Sequence, residues 1–511
     1  MLASFNKIPR GMRSSTQSLP APTGGWNVRD AWPNMSVKDA VKFTNWWPMP
    51  SDVMVRKGYS AERIIQNDVE TVAVYEAPTS AQLFGIANGN VYEASNTGTA
   101  SASSVTGLNT NRFQTVNYTS AAGVPYLYMV SGEDAPLMWN GTAWANPAIT
   151  GATATSFAHI NVFKSRLWFV QKDTLKAWYL NAGAIQGTAT AVDLSAFTVK
   201  GGYLMAMATW TLDAGAGVDD YAVFVTSEGE VIVYQGTDPS SSTTWAMKGR
   251  WELGSPLGRR CFIRYGGDVL IACNDGVVPL SKALISSRVR PNVALTDKIQ
   301  GAMSTAASTY GANFGWDLLF YPKGSMVLLN VPVQENDNQQ QYTMNSITGS
   351  WGQFTGVDAN CWCLYNDEPY FGSNGFIGKF WDGLDDNDTN IATEVIQAFS
   401  YFGDRGRLKH FKEARPILSS NGTPSILAVL EVDYQTSNTF GQLSFSPTAY
   451  GVWDSGLWDT AVWGGDLNII RNWQTLGNIG TAAAIHFYSA TQGIELHWIA
   501  TDFLYERGGV I

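Results

Sequence analysis

The feature of this sequence that most limits its fold is a recurring β-hairpin. In "YAVFVTSEGEVIVYQGTD" (221–238), two runs of β-branched and aromatic residues flank a turn at 227–230. Two such runs joined by a Gly-containing loop are a strong local signal for a hairpin. Hairpins of the same kind recur along the chain, at 71–95, 126–144, 166–180, 268–281, 317–333 and 368–383. The sequence therefore predicts an all-β protein.

The spacing of these hairpins indicates how they are arranged. They follow one another at a mean distance of about 45–50 residues, which is the length of one four-stranded blade of a β-propeller. We therefore expect a β-propeller of six to eight blades over residues 60–390. Because the spacing is irregular, an array of β-sandwiches is the structural alternative.

The two ends of the chain differ from this middle part. The first 25 residues are rich in Ser, Pro, Thr and Gly, which is typical of an extended arm that is ordered only where something holds it. We assign 1–59 to an N-terminal arm and docking segment. Apolar residues then alternate on a two-residue period beyond residue 390. This pattern predicts a separate C-terminal antiparallel β domain over 391–511.

Helix is predicted in only two places. In "SVKDAVKFTNWW" (36–47), Ser36 can cap a first turn that contains Asp39. The second place is "LTDKIQGAMSTA" (295–306). Both segments are short, so the prediction of an all-β protein stands.

The composition argues against several classes of protein. The formal net charge is −10, whereas a protein that grips nucleic acid through its phosphates is normally basic. Charged residues make up 15% of the chain, against about 25% in soluble domains, which favours a surface partly covered by neighbouring molecules. The N-terminus lacks the apolar segment of a signal peptide. No apolar stretch is long enough for a membrane-spanning segment.

The sequence offers no pattern for catalysis or for binding a cofactor or metal, and we predict none of these sites. The acidic stretch 385–390 resembles a calcium loop, but Ile391 replaces its Gly and Gln397 stands where a bidentate carboxylate belongs. The histidines lie outside known catalytic and zinc-binding spacings; they are His159, His410, His486 and His497. We expect buried free thiols at Cys261, Cys273, Cys361 and Cys363.

Four tryptophans near the N-terminus are candidate assembly contacts. A buried aromatic side chain removes about 150–250 Å² from water, so a cluster of them could anchor the arm to a neighbouring copy or to an adaptor protein. Packing within their own chain is the alternative. The candidates are Trp26, Trp32, Trp46 and Trp47.

Two basic clusters stand out in this acidic chain. Pairing with acidic patches on another copy of the chain, or with phosphates, is the functional interpretation; ordinary solvated turns are the alternative. The cluster that we place among the candidate assembly contacts contains Arg405, Arg407, Lys409 and Lys412, with His410 and Arg415 beside them. The other cluster contains Arg250, Arg259, Arg260 and Arg264.

Segments from both ends of the chain carry a resemblance to a known family. The N-terminal segment is "GGWNVRDAWPNMSVKDAVKFTNWWPMPSDVMVRKGY" (24–59). The later segments follow in the same order: "GSWGQFTGVDANCWC" (349–363), "PYFGSNGFIGKFWDG" (369–383), "VWDSGLWDTAVWGG" (452–465) and "FLYERGGVI" (503–511). Together they resemble the tail nozzle and tail hub proteins of short-tailed phages.

This resemblance implies a structural β-propeller protein of the virion tail, made in the host cytoplasm. It implies a homohexamer below the portal and adaptor proteins, with tail fibres or spikes as further neighbours. Genomic DNA would pass through the lumen without sequence-specific binding, and the family carries no catalytic residues. A receptor- or glycan-binding propeller of the virion is the alternative function. A glycan-cleaving enzyme is a third, which would need a pair of carboxylates in one cleft.

Overall fold

The computed structural model describes residues 14–213, 218–241, 243–283, 293–437, 439–445 and 467–510. The chain divides into two compact units. We call the unit formed by 59–346 and 355–382 the propeller unit. The other, formed by 1–58, 347–354 and 383–511, is the terminal unit. No helix in the described ranges is both long and apolar enough to cross a membrane.

The described part of the propeller unit contains seven consecutive antiparallel sheets. Sheet 1 consists of Thr71–Ala77, Ser80–Ala87, Asn90–Glu93 and Ser101–Ala102. Sheet 2 consists of Gln114–Thr119, Pro125–Val130, Leu137–Trp139 and Trp144–Ala145. Sheet 3 consists of Phe157–Phe163, Arg166–Gln171, Lys176–Tyr179 and Thr190–Asp193. Sheet 4 consists of Leu204–Asp213, Val218–Thr226, Glu230–Gly236 and Trp245–Glu252.

The remaining sheets bring the chain back to its starting point. Sheet 5 consists of Phe262–Tyr265, Asp268–Cys273 and Gly276–Pro279. Sheet 6 contains Asp317–Tyr321, Met326–Gln334 and Asn338–Asn345. Sheet 7 consists of Cys361–Tyr365, Glu368–Gly372, Asn374–Phe380 and Tyr59–Asp68. Short additional strands are Gly98–Thr99, beside Tyr59–Asp68, and the pair Ile149–Thr150 and Gly187–Thr188. The helices in the described part of this unit are Ala154–Ser156, Ser195–Phe197, Leu280–Ala283, Asp297–Ile299 and Gln300–Tyr310.

The sheets form a closed ring. The first strand of each sheet contacts the next sheet, and the first strand of sheet 7 contacts that of sheet 1. Strand Tyr59–Asp68 enters at the start of the unit but pairs with Asn374–Phe380 near its end, so it joins the two ends of the ring. A closed ring of this kind shelters sheet edges that would otherwise be open. The described chain is therefore an all-β protein with a β-propeller arrangement.

Alternating side chains hold neighbouring sheets together. In strand Val218–Thr226, Val223 and Val225 pack with residues of sheet 5, whereas Ala222 and Phe224 pack with residues of sheet 3. Successive side chains of a strand point to opposite faces, so a strand apolar on both faces can be buried between two neighbours. This explains why the strands of the hairpins have nearly continuous apolar sequences.

The terminal unit is also built from strands. One sheet has the order Trp46–Pro48, Val53–Val55, Leu496–Val510, Arg407–Ser420 and Asn468–Ile470, with Ser14–Pro20 beside Leu496–Val510 and Gln474–Gly480 beside Arg407–Ser420. Other strands pair in the order Trp351–Thr355, Gly25–Trp26, Asp39–Thr44, Ile391–Gln397, Ala483–Thr491, Ile426–Val432 and Gly441–Gln442. A short 3-10 helix spans Trp32–Asn34.

The predicted domain borders differ from the two units. The N-terminal arm and the C-terminal region belong to one unit, because Ser14–Pro20 pairs along its whole length with the last strand, from Ser14 opposite Glu506 to Pro20 opposite Ala500. The segment 347–354 joins them. The propeller unit begins at Tyr59 and its last segment ends at Asp382, rather than at residues 60 and 390.

The predicted helix at 36–47 is wrong. This segment contains the strands Asp39–Thr44 and Trp46–Pro48, separated by Asn45 with a positive φ of 59°. Its β-branched and aromatic residues favour a pleated surface, and the strand pairs with Ile391–Gln397, so pairing outweighs the capping signal of Ser36. The helix predicted at 295–306 is confirmed, although its α-helical part is Gln300–Tyr310.

Candidate functional site

A cavity of about 430 Å³ lies at the centre of the propeller unit. Residues that begin the first strands of sheets 2, 3 and 4 line it, together with the segments that lead into sheets 5 and 6. A second cavity of about 260 Å³ shares Gln114, Arg259 and Arg260 with the first. We call the two together the axial cavity, because side chains from all seven sheets or their leading segments line it.

Arg260 crosses the axial cavity and connects three sheets. Its Nη2 donates hydrogen bonds to the carbonyl oxygens of Glu70 and Phe113, each at 3.1 Å, and to Thr71 Oγ1 at 3.0 Å. Its Nη1 lies 3.7 Å from Asp317 Oδ2. A guanidinium group presents several donors in one plane, so a single side chain can hold the starts of sheets 1, 2 and 6 together.

Asp317 is the buried acid of this arrangement. Its Oδ2 also accepts a hydrogen bond from the backbone N–H of Trp362 at 3.1 Å. Burial raises the pKa of Asp317 to about 6, although the charge of Arg260 and the hydrogen bond from Trp362 act in the opposite direction. Burial therefore outweighs the ion pair at this position.

Arg259 points to the other side of the axial cavity. Its Nη1 donates to the carbonyl oxygens of Met205 at 2.8 Å and Leu204 at 3.4 Å, and its guanidinium carbon lies 5.8 Å from the centre of the Tyr203 ring. Burial lowers the pKa of Arg259. Among the described residues, no carboxylate forms an ion pair with it.

The other cations that line the cavity each have an acidic partner. Arg112 contacts Glu70 at 2.9 Å and Glu335 at 3.0 Å, and it stacks over the ring of Phe314 at 4.1 Å. Lys172 contacts Glu133 at 3.2 Å. Their charges are therefore balanced within the chain.

The buried thiols and the buried histidine do not supply a reactive group here. Burial raises the pKa of Cys261, Cys273 and Cys361 to about 12, so these thiols stay protonated and poorly nucleophilic. Burial, together with the charge of Arg259, lowers the pKa of His159 to about 3, so its imidazole is neutral. No cluster of potential metal ligands occurs in the part of the chain that the structure describes.

The four candidate tryptophans divide into two groups within the terminal unit. Trp26, Trp46 and Trp47 are buried there. The ring centres of Trp46 and Trp498 lie 6.3 Å apart, and those of Trp47 and Phe354 lie 6.1 Å apart. Trp32 is 36% exposed and stacks on Phe399 at 5.8 Å. Only Trp32 keeps a substantial surface that a neighbouring molecule could contact.

The basic candidates are mostly occupied within the chain. Arg407 pairs with Asp404 at 3.1 Å and Lys412 with Glu506 at 2.5 Å. Lys409 is buried, and its Nζ donates to three backbone carbonyl oxygens.

Arg405 lies at the surface beside the exposed tryptophan. It donates to the carbonyl oxygen of Pro33 at 3.0 Å and stacks over Tyr401 at 4.5 Å. Because Pro33 directly follows Trp32, the structure brings one member of each predicted set together.

The other basic cluster separates in the structure. Arg259 and Arg260 turn into the axial cavity, Arg264 is exposed, and Arg250 lies 3.6 Å from Glu230. The sequence does not predict that Arg259 and Arg260 line the axial cavity. It shows that the charges are close together along the chain, but not the direction in which each side chain points. Their position directly before the first strand of sheet 5 was the available signal.

No protein-family model and no curated protein matches the sequence. Among solved structures, a complex of BBS1N with ARL6DN matches with 9% identity and a TM-score of 0.39, covering 64% of this chain and 96% of that chain. The designed Ika8 protein matches with 10% identity and a TM-score of 0.37, covering 63% and 99%. YCF48 bound to D1 peptide matches with 12% identity and a TM-score of 0.36, covering 63% and 97%.

Proposed function

We propose that the protein is a structural subunit of the tail of a short-tailed phage, in its nozzle or hub. The observation that carries this proposal is where the family-like segments lie. The segments 24–58, 349–354 and 503–510 meet in the terminal unit, whereas 355–363 and 369–382 lie in the propeller unit. Motifs that are distant in sequence but adjacent in one unit are expected when a family shares that unit.

The strand pairings give this observation its detail. Gly25 pairs with Trp351, and Thr44 pairs with Gln353, so the segments 24–59 and 349–363 are neighbours in one sheet. The final segment, from 503, lies in strand Leu496–Val510 beside Ser14–Pro20 and Arg407–Ser420. The segment 452–465 lies outside the described residues.

We further propose that the propeller unit has seven blades, one for each of its antiparallel sheets. Strand Tyr59–Asp68, from the start of the unit, supplies the outer strand of the last blade. This pairing closes the ring. The sequence alone allows six to eight blades, because the spacing of its hairpins is irregular.

The DNA conduit would lie between copies of the chain rather than through one propeller. Arg259 and Arg260 cross the centre of the propeller unit, so side chains divide that centre into cavities of about 430 and 260 Å³. A ring of copies, a homohexamer by the resemblance, would enclose a separate lumen below the portal and adaptor proteins, with tail fibres or spikes outside. The net charge of −10 suits walls that repel phosphates and do not retain DNA.

The terminal unit offers surface for such contacts. Ile469, Trp473 and Ile479 are exposed by 66%, 39% and 55%, on or beside the short strands Asn468–Ile470 and Gln474–Gly480. Exposed apolar side chains along a strand edge favour contact with another chain. Trp32 and Arg405 give the same unit a second exposed surface for contact with a neighbouring molecule.

Native mass spectrometry of the purified protein tests this proposal. We expect a closed oligomer of several copies, which Ile479→Glu shifts toward monomer because it places a charge in an apolar contact. The control is Val199→Glu, which changes an aliphatic residue of the propeller unit that is 71% exposed; its oligomer should persist. A monomer at all concentrations would contradict the proposal and favour the glycan- or receptor-binding alternative.

A further inference from the structure

We propose that the axial cavity binds a small molecule carrying an oxyanion, a carboxylate or a phosphoryl group, with Arg259 as its charge partner. The starting observation is an imbalance among the cations of the cavity. Arg112, Arg260 and Lys172 each have a carboxylate within ion-pair distance. Arg259 has none in the described ranges, although it lines both parts of the cavity.

The cost of this imbalance points to a ligand. A guanidinium group stays protonated in a protein. The charge of Asp173 acts on Arg259 from beyond ion-pair distance, so the unfavourable burial of the Arg259 charge is only partly offset. The two carbonyl oxygens that Arg259 contacts both accept from Nη1. Its Nε and Nη2 have no acceptor among the described residues, and two such N–H groups are suited to a bidentate contact with an oxyanion.

Other side chains of the cavity can complete such a site. Gln114 and Tyr203 line it, and neither side chain has a hydrogen-bond partner in the part of the chain that the structure describes. Gln114 offers an amide and Tyr203 a hydroxyl, so both can bind oxygen atoms of a ligand. Phe314 and Trp316 add apolar walls, as is common in small-molecule sites.

The size of the cavity indicates what fits. Its larger part, about 430 Å³, lies within the range of about 300–1,000 Å³ that small-molecule sites occupy. An acidic monosaccharide or a sugar phosphate would place its anionic group at Arg259 and its hydroxyl groups near Gln114 and Tyr203. Both ligands share the oxyanion chemistry, and the experiment separates them.

The competing role for Arg259 is purely structural. In that role, which we call a structural staple, its hydrogen bonds to carbonyl oxygens of sheet 4 hold the segment before sheet 5 in place. A staple would affect the stability of the propeller unit but would give no saturable binding of anions. Binding measurements therefore distinguish the two roles.

Isothermal titration calorimetry of the full chain with four probes tests the proposal: glucuronate, glucose 6-phosphate, inorganic phosphate and neutral glucose. We expect saturable binding of glucuronate or glucose 6-phosphate, and at least tenfold weaker binding of glucose. Preference for glucuronate identifies a carboxylate ligand, and preference for the phosphates identifies a phosphoryl ligand. No saturable binding of any anionic probe, or equal binding of glucose, would overturn the proposal.

Variants locate the site. Arg259→Gln should weaken binding of the preferred anion at least tenfold, whereas Arg264→Gln, which changes an exposed arginine of the same cluster, should leave it unchanged. If Arg259→Gln does not fold, Tyr203→Phe and Gln114→Ala keep the charge and should each weaken binding about threefold to tenfold, as expected for the loss of one hydrogen bond. Unchanged affinity in all the folded cavity variants would place any binding elsewhere and refute the assignment.

Discussion

Arg260 and Asp317 face each other at the centre of the propeller unit, with Nη1 3.7 Å from Oδ2. Arg260 also reaches the starts of sheets 1 and 2 through Nη2. The pair therefore joins sheets that are distant in sequence, and an isolated parallel β-bridge links the backbones of the same two residues.

Arg260→Ala should lower the free energy of unfolding at pH 7 by about 3–5 kcal/mol, because it leaves a buried carboxylate without its cation. The matched control is Arg264→Ala, an exposed change expected to stay within about 0.5 kcal/mol. Urea denaturation followed by tryptophan fluorescence measures both. Equal stability of the two variants would show that the axial contacts are dispensable.

The same site predicts a pH dependence. The pKa of Asp317 is raised to about 6 from a reference of 3.8, so the folded state binds its proton more tightly than the unfolded state. The stabilisation is fully present below pH 3.8 and is lost as pH rises through about 6. Wild type should therefore gain more stability between pH 7 and pH 5 than Asp317→Asn does. Parallel pH profiles of the two proteins would contradict this.

His497 in the terminal unit predicts a second pH dependence. Its Nδ1 lies 2.6 Å from Asp52 and its Nε2 3.1 Å from Glu495, and these contacts raise its pKa above the reference of 6.5 despite burial. The stabilisation is present below pH 6.5 and is lost as pH rises through the folded pKa. Asp52→Asn should lower that pKa in an NMR titration and reduce the loss of stability from pH 6 to pH 9. An unmoved His497 titration would refute the contact.

The turn at Asn88 and Gly89 predicts a local effect. Gly89 has a φ of +70°, and a Cβ there would lie 2.9 Å from the carbonyl oxygen of Leu108. Gly89→Ala should therefore lower the free energy of unfolding by about 1–3 kcal/mol. Gly267→Ala is the control, since its Cβ would meet only one atom at 3.8 Å. The comparison fails if the two variants melt at the same temperature.

The hairpins could be predicted from sequence because their signals are local. Asn88 and Gly89 both have the positive φ values that such a turn needs, and the opening hairpin pairs Val225 with Val231 as its pattern predicts. The partners of isolated strands could not be predicted in the same way. The strand at 39–44 is fixed by Ile391–Gln397, which no short-range signal identifies.

The axial cavity was likewise hidden from the sequence. Arg259 and Arg260 are consecutive, yet one meets sheet 4 and the other meets sheets 1, 2 and 6. Their partners are mostly backbone carbonyl oxygens, which carry no residue-specific pattern. Only the closure of the ring determines which of these oxygens each arginine reaches.

The contrast between two tryptophans separates folding from assembly. Trp46→Ala removes a fully buried indole of the terminal unit and should cost about 3–5 kcal/mol of stability. Trp32→Ala removes a half-exposed ring and should leave melting nearly unchanged while weakening association between copies. Calorimetry and sedimentation velocity, run on both variants, give the two readouts. Loss of stability without loss of assembly in Trp32→Ala would assign Trp32 to the fold alone.

Electron microscopy of the purified protein is the most direct test of the central proposal. We predict a closed ring of several copies around a lumen wide enough for duplex DNA, with each propeller's own centre crossed by side chains. A single compact molecule at every concentration, or a ring without a central opening, would contradict a role in a DNA conduit.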